Sequence, residues 1–206
     1  MDTEKTEWFL RGNWAPLGEE KELNDLKVDG SIPTELDGIY VRTGPNPKDG
    51  KGSHWFLGDG MVHGIRLKKG KAEWYRNRFV QTPDITEPLT DPMAGLGDLR
   101  RGKGNTHVVA HNEQIMCLEE AHWPWTINAD LETTGVLNYE GKLDCSMTAH
   151  PKICPITGEL LAFSYFSFEQ PYLKYIRVSA DGKLQQVEGI EPVSYTHLRA
   201  HETARH

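Results

Sequence analysis

Long apolar stretches are missing from this sequence, as are other marks of a membrane or exported protein. No run of about 18 apolar residues occurs, which excludes a spanning helix. The polar start Met1-Asp2-Thr3-Glu4-Lys5-Thr6-Glu7 lacks the basic and apolar regions of a secretion signal, so a cytoplasmic protein is expected. Cysteine is scarce: Cys117, Cys145 and Cys154 are odd in number and have no CxxC spacing. Such a set predicts reduced thiols packed in a core rather than disulfides or metal ligands. Basic clusters are absent too, with 23 Lys and Arg against 30 Asp and Glu and a formal net charge of -7, which argues against nucleic acid as a partner.

What the chain does contain is turn chemistry. Its 20 glycines and 12 prolines punctuate short apolar or alternating runs, the rhythm of an all-β protein rather than of a βαβ one. Strands are predicted over Ile39 to Arg42, Val62 to Lys68, Ala72 to Val80, His107 to Ala110, Ile115 to Glu119, Leu160 to Phe168, Leu173 to Val178 and Lys183 to Val187. Lys68-Lys69-Gly70-Lys71 and Ser179-Ala180-Asp181-Gly182 read as hairpin turns, with glycine supplying positive φ. From Thr82 to Lys103 the alternation breaks. That stretch predicts a long excursion with one short helix near Met93 to Arg100, lining a mouth or channel or else simply connecting strands. Hairpin pairs recur at roughly the spacing of successive propeller blades. The last residues, 194–206, abandon the rhythm and hold His197, His201 and His206 without glycine turns, so the organised part is expected to span 1–193 and the tail to be foreign to it.

Nine histidines occur. His150 is the strongest candidate for a metal ligand, because it lies in Met147-Thr148-Ala149-His150-Pro151-Lys152 at the end of a strand-like run, fixed by the proline that follows. One imidazole does not make a transition-metal site, since open catalytic sites need about three or four protein ligands. Upstream, Gly44-Pro45-Asn46-Pro47 and His54-Trp55-Phe56-Leu57-Gly58-Asp59-Gly60-Met61-Val62-His63-Gly64 combine rigid prolines, tight-turn glycines and aromatic packing area in a pattern too particular for a generic hairpin.

These motifs resemble the N-terminal part of the carotenoid cleavage oxygenases, the family of carotenoid, apocarotenoid and lignostilbene dioxygenases. The resemblance starts at Gly12-Asn13-Trp14-Ala15-Pro16 and passes through Ser31-Ile32-Pro33-Thr34-Glu35-Leu36-Asp37-Gly38 and the two motifs above. It continues over Leu131-Glu132-Thr133-Thr134-Gly135, Thr148-Ala149-His150-Pro151, Pro171-Tyr172-Leu173 and Asp181-Gly182, roughly the first 190 residues. Thr43 and Leu57 depart from the Asn and Asp more usual there.

The resemblance implies an all-β fold, a partial seven-bladed β-propeller of about the first three blades with long loop excursions. It implies Fe(2+) held by four histidines, with O2 cleaving a carbon–carbon double bond of a carotenoid, apocarotenoid or stilbene, and no organic cofactor. Ferrous iron held by neutral imidazoles keeps open positions for O2 while an apolar tunnel places the alkene. His150 matches the first iron ligand, and Glu120 a glutamate that hydrogen-bonds a ligand imidazole, with Glu119 the neighbour it is most easily confused with. The partners implied are an apolar conjugated alkene and O2, with peripheral membrane contact for substrate uptake. The block around His63 is expected to be structural, His54, His107, His111 and His122 to be turn or surface residues, and Trp123-Pro124-Trp125 to pack the propeller. The other ligands belong C-terminal to His150, beyond the point near Val193 where the pattern ends. A catalytically dead propeller fragment, acting at most as a binding or interaction module with open sheet edges and weak stability, is the alternative.

Overall fold

The computed structural model describes residues 7–167 and 169–191. Phe168 and the tail histidines His197, His201 and His206 lie outside them. Among the described residues the strands form three four-stranded antiparallel sheets, and the helices are short: one α-helical turn at Pro83–Thr86 and 3-10 turns at Trp8–Leu10, Gly12–Trp14, Pro92–Gly95 and Leu99–Arg101. No helix among the described residues is long and apolar enough to cross a membrane.

The first sheet contains β1 (Lys21–Asn24), β2 (Gly38–Pro45), β3 (Gly60–Lys68) and β4 (Lys71–Phe79) in the order β1-β4-β3-β2. The second runs in chain order through β5 (His107–His111), β6 (Gln114–Leu118), β7 (Trp125–Ile127) and β8 (Thr133–Val136). The third is built from β9 (Lys152–Ile153), β10 (Leu160–Ser164), β11 (Leu173–Val178) and β12 (Leu184–Ile190), again as neighbours in chain order. These are three successive four-stranded blades, with β2 of the first lying against β5 of the second. The predicted turns form as expected, with Lys69 at φ 46° and Gly70 at φ 77°. The β5–β6 turn uses Asn112 and Glu113 at φ 45° and 61°, a hairpin with no glycine to announce it.

Four strands escaped prediction for physical reasons. All of β1 is exposed, so it carries no apolar alternation, and β9 is two residues long. Strands β7 and β8 are short and interrupted by a bulge between Thr126 and Ile127. The predicted strand from Leu160 to Phe168 stops at Ser164. In place of one helix near Met93 to Arg100 there are two separate 3-10 turns, at Pro92–Gly95 and Leu99–Arg101.

Sheet two is buried on both faces, and β6 shows how. Successive side chains of a strand point to opposite faces. Met116 and Leu118 join the core against sheet three with Leu143, Met147, Leu160 and Ile176, whereas Cys117 joins Val62, Val80, Trp125 and Leu131 against sheet one. Each large side chain so buried contributes about 1.5–3 kcal/mol relative to exposure. Leu131 reaches its place through a left-handed backbone at φ 68°, and it fits because Gly64 has no Cβ: one added there would meet Leu131 Cδ1 at 2.9 Å. Trp125 donates Nε1–H to the Arg100 carbonyl at 3.1 Å, so the Trp-Pro-Trp motif packs the blade as expected.

The motif residues upstream are structural in visible ways. Asn46 accepts from Leu17 N at 2.7 Å and donates to Leu17 O at 2.9 Å, which docks the N-terminal segment. Thr43 Oγ1 donates to the Gly104 carbonyl at 2.9 Å and links the first two sheets. The excursion 82–103 is held by charge: Lys103 Nζ lies 3.3 Å from Asp59 Oδ1 and 2.7 Å from Asp84 Oδ2, and Arg101 Nη1 3.0 Å from Asp84 Oδ1. A Cβ at Gly60 would stand 2.1 Å from the Lys103 carbonyl oxygen, which is backbone and has nowhere to go. Gly60→Ala is therefore expected to lower unfolding free energy by about 2 kcal/mol or more in urea titrations.

His63, as expected, is structural: it hydrogen-bonds Tyr75 Oη at 2.8 Å. Burial first, and the Arg42 guanidinium second, hold its imidazole down to about 4 from an ordinary 6.5. The unfolded chain thus takes up a proton that the folded chain refuses. Stability is expected to fall as pH drops from about 6.5 towards about 4, by on the order of 1–2 kcal/mol for a partly screened ring. His63→Gln should flatten that part of the stability–pH curve.

Candidate metal centre

Glu120 lies two residues beyond β6 and His150 two residues before β9, so the two stand at neighbouring ends of sheets two and three. The structure brings them together, with His150 Nε2 3.0 Å from Glu120 Oε1. The other oxygen, Oε2, accepts from Thr148 Oγ1 at 3.0 Å, the Ala149 backbone N–H at 3.0 Å and Tyr165 Oη at 2.5 Å. A carboxylate accepts only, and here its acceptor capacity is turned almost wholly onto the segment that carries His150.

That segment is irregular and needs such help. Thr148 N donates to the Phe163 carbonyl at 2.7 Å and Met147 N to the His122 carbonyl at 3.1 Å, so it rests on both sheets. Thr148 Oγ1 accepts the His150 N–H at 3.2 Å, a local bond that sets the turn into Pro151. Ala149 is fully buried, whereas the His150 side chain is 62% exposed. The ring thus stands with its Nε2 against the carboxylate, and a carboxylate beside a metal-ligating imidazole is a common way of holding such a ring.

The remaining histidines are placed elsewhere. His54 is exposed and accepts from Phe56 N, and His122 Nδ1 pairs with Glu119 Oε1. One expectation is corrected: His111 is buried and its Nε2 meets the Gly158 carbonyl at 2.9 Å, so it is neither a turn nor a surface residue. His107 is exposed, as expected, at the start of β5, and its Nδ1 lies 2.8 Å from the Ala149 carbonyl, with its ring 5.9 Å from that of His150. Strand alternation alone does not reveal such a contact, because His107 and Ala149 are 42 residues apart.

Cys117 and Cys145 are buried free thiols pushed up by desolvation to about 12 and about 11, which leaves them unreactive core residues. Cys154 departs from the expected core placement and sits half-exposed in the β9–β10 turn.

No group of three or more His, Cys, Asp or Glu that could hold a metal occurs among the described residues. These residues fit a metal as one corner of a centre, a single oriented imidazole with its carboxylate, and not as a complete cage. Beside this corner lies a cleft of about 1710 Å³ to which the excursion contributes Leu89, Leu96 and Arg101, and the segments that follow β6 and β10 contribute Glu119, His122 and Tyr165.

The sequence model of the retinal pigment epithelial membrane protein family (RPE65) matches residues 14–200. The carotenoid cleavage oxygenase of Mycobacterium tuberculosis is 39% identical over 191 residues, covering 89% of this chain and 38% of that protein. The chain belongs to the carotenoid cleavage oxygenase family. A carotenoid 9,10(9',10')-cleavage dioxygenase of Arabidopsis thaliana is 38% identical over 84% of this chain and 38% of its own length. Thus the chain spans about two fifths of the curated relatives it matches. Among solved structures, Pseudomonas brassicacearum lignostilbene dioxygenase aligns with a TM-score of 0.76 and 32% identity, over 88% of this chain and 42% of that one. Cobalt-substituted Synechocystis apocarotenoid oxygenase, at 22% identity and a TM-score of 0.66 over 84% and 42%, shares the fold. Members of this family are seven-bladed propellers, of which these three sheets are a part.

Glu120 is the bond-maker of the site, and its removal leaves the buried Ala149 N–H and the Thr148 hydroxyl without their acceptor. Glu120→Ala is expected to cost about 2–3 kcal/mol in chemical denaturation, and Tyr165→Phe about 1 kcal/mol.

Proposed function

We propose that the protein containing this chain is an iron(II)-dependent dioxygenase that cleaves a carbon–carbon double bond of a carotenoid, apocarotenoid or stilbene with O2. The observation that carries the reading is the Glu120–His150 pair, 3.0 Å apart, in a chain of this family. His150 would be one of four imidazoles on the iron, with Glu120 holding its ring, and the other three ligands would lie outside the described residues. When bound, the iron supplies activation of O2 beside the alkene. Relatives named for cleavage of carotenoids and of lignostilbene support an extended, conjugated, largely apolar substrate.

This chain's own residues do the rest. The cleft beside the corner mixes apolar walls at Leu89, Leu96 and Phe166 with polar groups at Glu119 and His122, which suits an apolar chain bearing a polar end. Peripheral membrane contact for uptake of such a substrate, and a cytoplasmic setting compatible with free thiols, belong to the same reading.

A second reading has its own observation. The described residues present one oriented imidazole, so the 206-residue chain alone would act at most as a binding or interaction module. Iron content separates the two. In the full-length protein, iron near one per chain is expected, and His150→Ala should cut it by about tenfold or more, measured by metal analysis after gel filtration. Unchanged iron in that variant removes His150 from the centre. Stoichiometric iron on the 206-residue chain alone would overturn the second reading.

A further inference from the structure

His107 lies outside the Glu120–His150 pair, yet its ring stands next to the same segment. It is the first residue of β5 and pairs across the hairpin with Leu118, two residues before Glu120. One hairpin of sheet two therefore supplies both Glu120 and His107. These side chains take the two polar groups of a single residue: Glu120 accepts the Ala149 N–H at 3.0 Å, and His107 Nδ1 lies 2.8 Å from the Ala149 carbonyl oxygen. A carbonyl cannot donate, so the Nδ1 of His107 carries the proton and donates it. Ala149 is fully buried and outside any strand, and its carbonyl is the atom immediately ahead of the His150 nitrogen.

We propose that His107 is a positioning residue for His150, acting through the Ala149 carbonyl. Glu120 fixes the tip of the His150 ring, at Nε2, and the N–H of the preceding residue. His107 fixes the peptide plane from which the His150 side chain departs. With both in place the ring has one orientation, 5.9 Å from that of His107 and inclined to it by 31°. With His107 removed the carbonyl loses its partner and the peptide plane is free to rotate, so the imidazole, largely open to solvent, follows it. The role deepens the function proposed above and rests on His150 being the ligand.

The test uses the full 206-residue chain, 15N-labelled, at one mildly alkaline pH, with His107→Leu and His107→Asn as the variants. Asn places an amide N–H near the position of Nδ1. In the unsubstituted chain and in His107→Asn the imidazole signals of His150 should report a single ring environment. In His107→Leu they should report an average over several, with exchange of the Ala149 amide faster by about tenfold or more. An unaltered His150 ring in His107→Leu overturns the proposal, as does failure of His107→Asn to restore it when both variants keep the near-ultraviolet dichroism of the folded chain. If His107→Leu does not fold, His107→Asn decides alone, since a disordered His150 ring in a folded Asn variant is fatal. None of these signals depends on iron, so loss of the His150 ligand assignment in the full-length protein would leave the outcome unchanged and the two readings fail separately.

Discussion

The carboxylate of Glu120 holds together elements that have no strand pairing with each other. Sheets two and three meet through side chains, and the segment 147–150 that leads into sheet three forms no strand. Backbone groups buried in such a segment need partners from elsewhere. Glu120 supplies them by accepting the Ala149 N–H, the Thr148 hydroxyl and the Tyr165 hydroxyl on one oxygen while the other meets His150. His150 is thus placed by the blade before its own, and any metal chemistry there inherits its geometry from the β5–β6 hairpin.

That hairpin can bear the load because it is packed on both sides. Met116 and Leu118 face the core shared with sheet three, and Cys117 faces the core shared with sheet one, all at 1% exposure or less. A strand clamped in this way transmits position rather than absorbing it. The outer sheets differ. Tyr40 on β2 is 62% exposed and Phe163 on β10 44%, and such faces find cover in a closed ring, where each blade lies against two others. The excursion 82–103 belongs to neither core and is tethered by ion pairs around Asp84 and Lys103, an arrangement suited to a cleft wall.

What the sequence made legible follows from range. Hairpins announce themselves locally: Lys69-Gly70 and Ser179 to Gly182 were readable because positive φ has few residue solutions, and the strands they join were readable from alternation. The exposed β1, the two-residue β9 and the glycine-free turn at Asn112-Glu113 carry no such local mark. His150 stood out through its neighbours Thr148, Ala149 and Pro151, whose roles are local too. His107 did not stand out, because its partner is 42 residues away across a blade boundary and only the fold makes them adjacent.

Glu119 and Glu120 show the same limit at closer range. Both are acidic and consecutive, and nothing in their spacing says which serves the imidazole. The bend that follows β6 settles it by sending the two side chains to different partners. Glu119 turns to the cleft, where it pairs with His122 and accepts the Ala121 N–H at 2.8 Å, and Glu120 turns to the His150 segment. Two carboxylates one residue apart therefore divide the work. One contributes a polar wall to the cleft, and the other holds the segment that carries His150. Tyr165 spans the division, since it lines the cleft and donates to Glu120 at 2.5 Å.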